Sequence, residues 1–87
     1  MNVFVEFLEP FEYEEEKVSV EISGSTLDNL IDELSKKHPD FRDRLFSGGK
    51  LSEDMMILVN GVSIFGKLKT PLNEGDEIVF SRTISGG

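Results

Sequence analysis

The sequence predicts an α+β domain: a mixed sheet of about five strands with one main helix packed across one face. Three observations predict it. Apolar residues alternate at period two near both ends of the chain, over residues 2–8, 17–22 and 77–81, as they do in strands with two distinct faces. Between them Leu27, Leu30, Ile31 and Leu34 follow the i, i+3, i+4, i+7 spacing of a single buried helix face. Two turn signals, Asn60-Gly61 and Asn73-Glu74-Gly75-Asp76, divide the second half into short strands.

The 87 residues are enough for one domain. A hydrophobic fraction of 38% against 30% charged residues suits a folded chain rather than a disordered one. No apolar run approaches the length that spans a bilayer, so no membrane association is expected. Glu6 and Glu9 interrupt the apolar start, and a basic leader is missing, so the expected location is the cytoplasm. The absence of cysteine excludes disulfides, thiolate metal sites and cysteine nucleophiles. A net charge of −8 opposes binding to nucleic-acid phosphates and favours a basic protein partner.

Residues 2–8 form the first expected strand, with Val3, Val5 and Phe7 on one face and Phe4, Glu6 and Leu8 on the other. Glu9-Pro10 ends it. Residues 17–22 return as an antiparallel partner, Val18, Val20 and Ile22 alternating against Lys17, Ser19 and Glu21. The loop between holds Glu12, Glu14, Glu15 and Glu16. Crowded like charges favour a solvated loop over an acidic docking patch or a metal site.

Ser25 or Thr26 can cap the helix, with Asp28 in the first turn and Lys36, Lys37 and His38 in the last, where positive charge suits the helix dipole. Pro39 stops it. His38, the sole histidine, has no second catalytic group near it in sequence and reads as a helix-end surface residue rather than a general base. Phe41, Leu45 and Phe46 suggest a short helical turn over the edge of the core, followed by a flexible loop at Gly48-Gly49. The latter is no phosphate loop, since Arg44 stands at the first glycine position and Leu51 at the Ser/Thr position.

Residues 56–59 form a strand that turns at Asn60-Gly61 and returns through Val62-Ser63-Ile64. A connector over residues 65–73 leads to the turn around Gly75, and residues 77–81 form the last strand. The first and last strands carry apolar residues on both faces, which fits a central position side by side. The order β-β-α-β-β-β with one covering helix is that of a β-grasp, or ubiquitin-like, roll. Residues 1–81 form the domain and residues 82–87 a flexible tail ending in Gly86-Gly87.

No nucleophile elbow, metal-ligand spacing or glycine-rich nucleotide loop appears, so no catalytic residue is expected. The informative feature is the diglycine end. With Ser25-Thr26-Leu27-Asp28-Asn29-Leu30, Ile57-Leu58-Val59-Asn60-Gly61, Thr70-Pro71-Leu72-Asn73-Glu74-Gly75-Asp76-Glu77-Ile78 and Ile84-Ser85-Gly86-Gly87, the chain resembles the MoaD/ThiS superfamily over nearly its whole length. Its length suits the MoaD branch, the small subunit of molybdopterin synthase, better than the shorter ThiS branch. Arg82 and Thr83 stand where MoaD-like proteins often have two prolines, a departure that bears on the identity of the partner.

The resemblance implies a sulfur carrier without bound cofactor. An E1-like (MoeB/ThiF-type) adenylyltransferase would use ATP to activate the carboxylate of Gly87, and a sulfur donor would convert it to a thiocarboxylate. A large, MoaE-like synthase subunit would then receive the sulfur for molybdopterin. Ile84, Ser85 and Gly86 would thread the enzyme's channel, where a Cβ at Gly86 or Gly87 would obstruct passage and restrict the backbone. Relatives with tails of this kind also suggest tRNA thiolation, thiazole or cysteine synthesis, or covalent attachment to lysines as a ubiquitin-like modifier. The alternation of the terminal strands adds a candidate docking patch, Phe4, Leu8 and Val79, on the face away from the helix, unless Phe41, Phe46 or Phe65 folds over it.

Overall fold

The computed structural model describes residues 1–83. Ile84, Ser85, Gly86 and Gly87, expected as the channel segment and reactive end, lie outside the described residues. Strands β1 (Asn2–Phe7), β2 (Lys17–Glu21), β5 (Met55–Val59), β6 (Val62–Ser63) and β7 (Glu77–Arg82) form one five-stranded sheet in the order β2-β1-β7-β5-β6. Helix α1 (Leu27–Lys37), helix α2 (Phe41–Leu45) and a small hairpin of β3 (Phe46–Ser47) and β4 (Lys50–Leu51) complete the β-grasp.

β1 and β7 lie side by side in the middle of the sheet, and theirs is a parallel pair, with Val5 opposite Ile78 and Phe7 opposite Phe80. Each of the two has a neighbouring strand on both sides, as the sequence predicts, although only the inner face of the pair is covered. The inner face of the sheet buries Val3, Val5, Phe7, Ile57, Ile78 and Phe80. Against it α1 lays Leu27, Leu30, Ile31 and Leu34, each at most 1% exposed, as the helical spacing predicts.

The start of α1 is well satisfied. Asn29 accepts hydrogen bonds through Oδ1 from the backbone N–H groups of Ser25, at 3.1 Å, and Thr26, at 3.2 Å. The connector before β7 supplies acceptors too: Leu27 donates to the Thr70 carbonyl and Asp28 to that of Leu68, both at 2.9 Å. These are the donors that a helix N-terminus otherwise leaves without partners. The same contact buries Leu72, which lies in the connector and belongs to no strand.

Four sequence expectations change. Phe41 does more than cover the edge: it is fully buried, edge-on to Phe80 with ring centroids 5.0 Å apart. Phe11 is buried and Tyr13 half-buried, although both belong to the acidic loop. Gly48 and Gly49, at φ +61° and +80°, make the tight two-residue turn between β3 and β4 rather than a flexible loop. Strands of two residues are too short for alternation to reveal them. Finally, β7 runs on through Arg82 because β5 begins at Met55, giving Arg82 a partner where the tail was expected to start.

Candidate functional site

The root of the C-terminal segment is held from two sides. The Arg82 backbone N–H donates to the Glu9 carbonyl at 2.7 Å, and that of Thr83 donates to the Asp54 carbonyl at 2.8 Å. Glu9 belongs to the turn after β1, and Asp54 directly precedes β5. The chain therefore leaves the sheet between these two elements in a defined place. Four residues of sequence separate Thr83 from the end, and the last of them is Gly87.

The sheet face opposite the helices starts beside this root. Register places Lys17, Glu6, Val79, Leu58 and Ser63 in one row across it. A second row carries Ser19, Phe4 and Glu77. Phe4 is 52% exposed and Leu8 41%, while Val79, between two neighbouring strands, is half-buried. The three expected docking residues thus share the uncovered face. None of the aromatics that could have closed it does so: Phe41 lies in the core, Phe46 packs against the core and Phe65 is 71% exposed.

They do not converge on a single concavity. Phe4 and Val79 line a shallow groove of 510 Å³ together with Glu6, Lys17, Asn60 and Glu77. Leu8 lies outside that groove, just beyond the end of β1. Its backbone N–H still donates to Phe80 at 2.9 Å, which keeps it on the sheet near the root of the tail. Glu6 and Glu77 set negative charge among the apolar side chains, so a complementary surface would be apolar with positive charge interspersed. Sequence reasoning missed Leu58 and Met56, which belong to the same face. The stretch of residues 55–59 is apolar throughout, and only pairing with β7 shows that Met55 and Ile57 point inward.

The remaining candidates serve the fold. Glu12, Glu14, Glu15 and Glu16 are all exposed, in keeping with a solvated loop. His38 caps α1 and is half-buried, its ring stacked on Tyr13 with centroids 3.7 Å apart. Tyr13 in turn donates its hydroxyl to Asp40 at 3.3 Å. Burial first, and the Asp40 carboxylate second, push the Tyr13 phenol up from 10.0 to about 12. Arg44, bonded to Asp40 at 2.8 Å, holds that carboxyl below its usual range. Lys69, at 2.7 Å from Asp28, does the same to the carboxyl in the first turn of α1. Among the described residues no group of three His, Asp or Glu side chains gathers to hold a metal ion, and no helix is long and apolar enough to cross a membrane.

The ThiS family model matches residues 5–87, through to the final glycine. The molybdopterin synthase sulfur carrier subunit of Mycobacterium tuberculosis is 32% identical over 72 residues, covering 83% of this chain and 75% of that protein. The crystal structure of M. tuberculosis CysO, an antigen, superposes with a TM-score of 0.75 at 29% identity, over 94% of this chain and 99% of the other. In a complex of subunits 1 and 2 of molybdopterin-converting factor from Helicobacter pylori, one chain matches at 26% identity with a TM-score of 0.67, both chains covered completely.

Proposed function

The chain belongs to the ThiS family, and from that premise we propose that it is a ubiquitin-like sulfur carrier whose working group is the carboxylate of Gly87. The observation that carries the reading is the extent of the family match, which includes the diglycine end and not only the folded domain. The structure supports it with a root pinned at Arg82 and Thr83 beside an uncovered apolar face.

A carboxylate is a poor electrophile because its charge repels nucleophiles. In the proposed reaction a Gly87 oxygen attacks the α-phosphorus of ATP on an E1-like adenylyltransferase. Pyrophosphate leaves and an acyl adenylate remains. Sulfide then attacks the carbonyl carbon and AMP departs with the C–O bond electrons, leaving a thiocarboxylate; a persulfide donor would instead leave an acyl disulfide, whose S–S bond a thiol reductant would cleave. The chain is a co-substrate in these steps: it presents the reactive end and a docking surface formed by Phe4, Leu8 and Val79. Gly86, Ser85 and Ile84 are the residues that would occupy the enzyme's channel.

Molybdopterin formation with a large synthase subunit is the destination we favour, on the likeness to the mycobacterial carrier subunit and to the H. pylori complex. A second destination, another sulfur-accepting enzyme, is favoured by Arg82-Thr83 in the place of two prolines.

Intact-mass spectrometry after incubation with the cognate adenylyltransferase, ATP and a sulfur donor tests the carrier chemistry. One oxygen should be exchanged for one sulfur, with fragmentation placing it on Gly87. Deleting Gly87, or adding a residue after it, should abolish the exchange, because a displacement near 1 Å can cost on the order of 100-fold in rate. Attachment to lysines without thiocarboxylate formation would make the chain a modifier instead.

A further inference from the structure

We propose that Phe65 and the groove beside it form a second docking element, which receives an apolar side chain of the adenylyltransferase while the enzyme holds the tail. The inference rests on the carrier reading.

Phe65 is the most exposed large hydrophobic residue among those described, at 71%, and it is not among the side chains packed on the core. It also has φ +56°, a left-handed conformation that a bulky side chain rarely adopts. The reason is a tight turn in which the Lys67 N–H donates to the Ile64 carbonyl at 3.2 Å. Phe65 occupies the first central position of that turn and Gly66 the second. Turns with positive φ only at the first central position favour glycine there. Here glycine stands one place later, and a phenylalanine takes the strained place. Residues held in such conformations cluster at active sites and ligand clamps.

The groove beside Phe65 measures 810 Å³, with Leu51, Met56 and Leu68 in its apolar lining. Thr83 also lines it. The four residues after Thr83 reach at most about 14 Å, at up to about 3.6 Å per residue. An enzyme that acts on Gly87 must therefore bring its surface within that distance of the groove wall. Met56 lies on the same sheet face as Val79, so the groove continues the proposed docking face toward the tail. The reach of the chain thus selects an enzyme that acts on Gly87, and the adenylyltransferase is the first to do so in the proposed sequence of steps.

Steady-state adenylation by the cognate adenylyltransferase, followed through ATP–pyrophosphate exchange, tests this. Phe65→Gly and Phe65→Asn, both suited to positive φ, should raise KM for the carrier about tenfold or more, as loss of a buried aromatic contact does, with kcat unchanged. Their melting temperatures should be no lower than that of the native chain. Phe65→Tyr should retain the native KM. An unchanged KM in the first two variants overturns the proposal; impaired sulfur delivery alone would then assign the groove to the accepting enzyme, and a lost dimer in sedimentation to a second copy. A lowered melting temperature overturns it as well, showing that Phe65 serves the fold. Failure of the native chain to exchange at all would instead refute the carrier reading itself.

Discussion

Along β1 and Leu8, the residue that follows it, alternate residues meet opposite environments. Val3, Val5 and Phe7 are at most 2% exposed, covered by α1 and α2, whereas Phe4 and Leu8 stand in solvent at 52% and 41%. β7 repeats the division, with Ile78 and Phe80 buried and Val79 only half-covered. The inner face is apolar throughout and the outer face mixes Phe4, Leu8 and Val79 with Glu6 and Glu77, so similar apolar side chains occur on both. What separates them is that the helices lie on one side only. An apolar side chain stabilises the fold where another element removes it from water, and on the uncovered side it is available to a partner.

The contrast should be largest in stability. Phe80→Ala opens a cavity against Phe7 and Phe41 and should cost about 3–5 kcal/mol, with Ile57→Val on the same face costing about 0.5–1.5 kcal/mol. Denaturation midpoints in urea measure both. A small cost for Phe80→Ala would mean that the helices do not seal the inner face.

Substitutions on the other face should leave those midpoints nearly unchanged, within about 0.5 kcal/mol for Leu8→Glu. The same change should weaken binding to the adenylyltransferase about tenfold, a difference of about 1.4 kcal/mol, read by titration calorimetry. Val79→Lys should act in the same direction on binding. Unfolding by either substitution would place the outer face in the core, and unchanged affinity would move docking elsewhere.

A smaller effect sharpens the comparison at its margin, where the acidic loop is held against the helix side by Phe11 and Tyr13. The Tyr13 phenol keeps its proton more tightly when folded, up to about 12 against 10.0. Its contribution is thus complete below pH 10.0 and is lost as pH rises toward about 12. Tyr13→Phe should therefore show a shallower fall in melting temperature across that interval. Parallel curves for the two proteins would show that the phenol does not contribute.

Much of this was legible in the residues themselves. The period of the helix named its four buried leucine and isoleucine positions, Asn60-Gly61 and Gly75 marked turns that take positive φ, and the two-faced terminal strands pointed to the centre of the sheet. Phe4, Leu8 and Val79 could be placed on one face because alternation within a strand is a local property. Local chemistry does not state what a distant segment will cover. Phe11, Tyr13 and Leu72 lie in loops, and only the arrival of α2 and the closing of the connector on α1 made them part of the interior. The uniformly apolar β5 had no face of its own until pairing with β7 set its register. The strain at Phe65 arose the same way, since a turn closing between β6 and the connector imposed on that residue a conformation its own side chain disfavours. Periodicity and turn preference act over a few residues and can be read in order along the chain. Burial, register and strain depend on contacts between residues far apart in sequence, and the tertiary structure alone decided them.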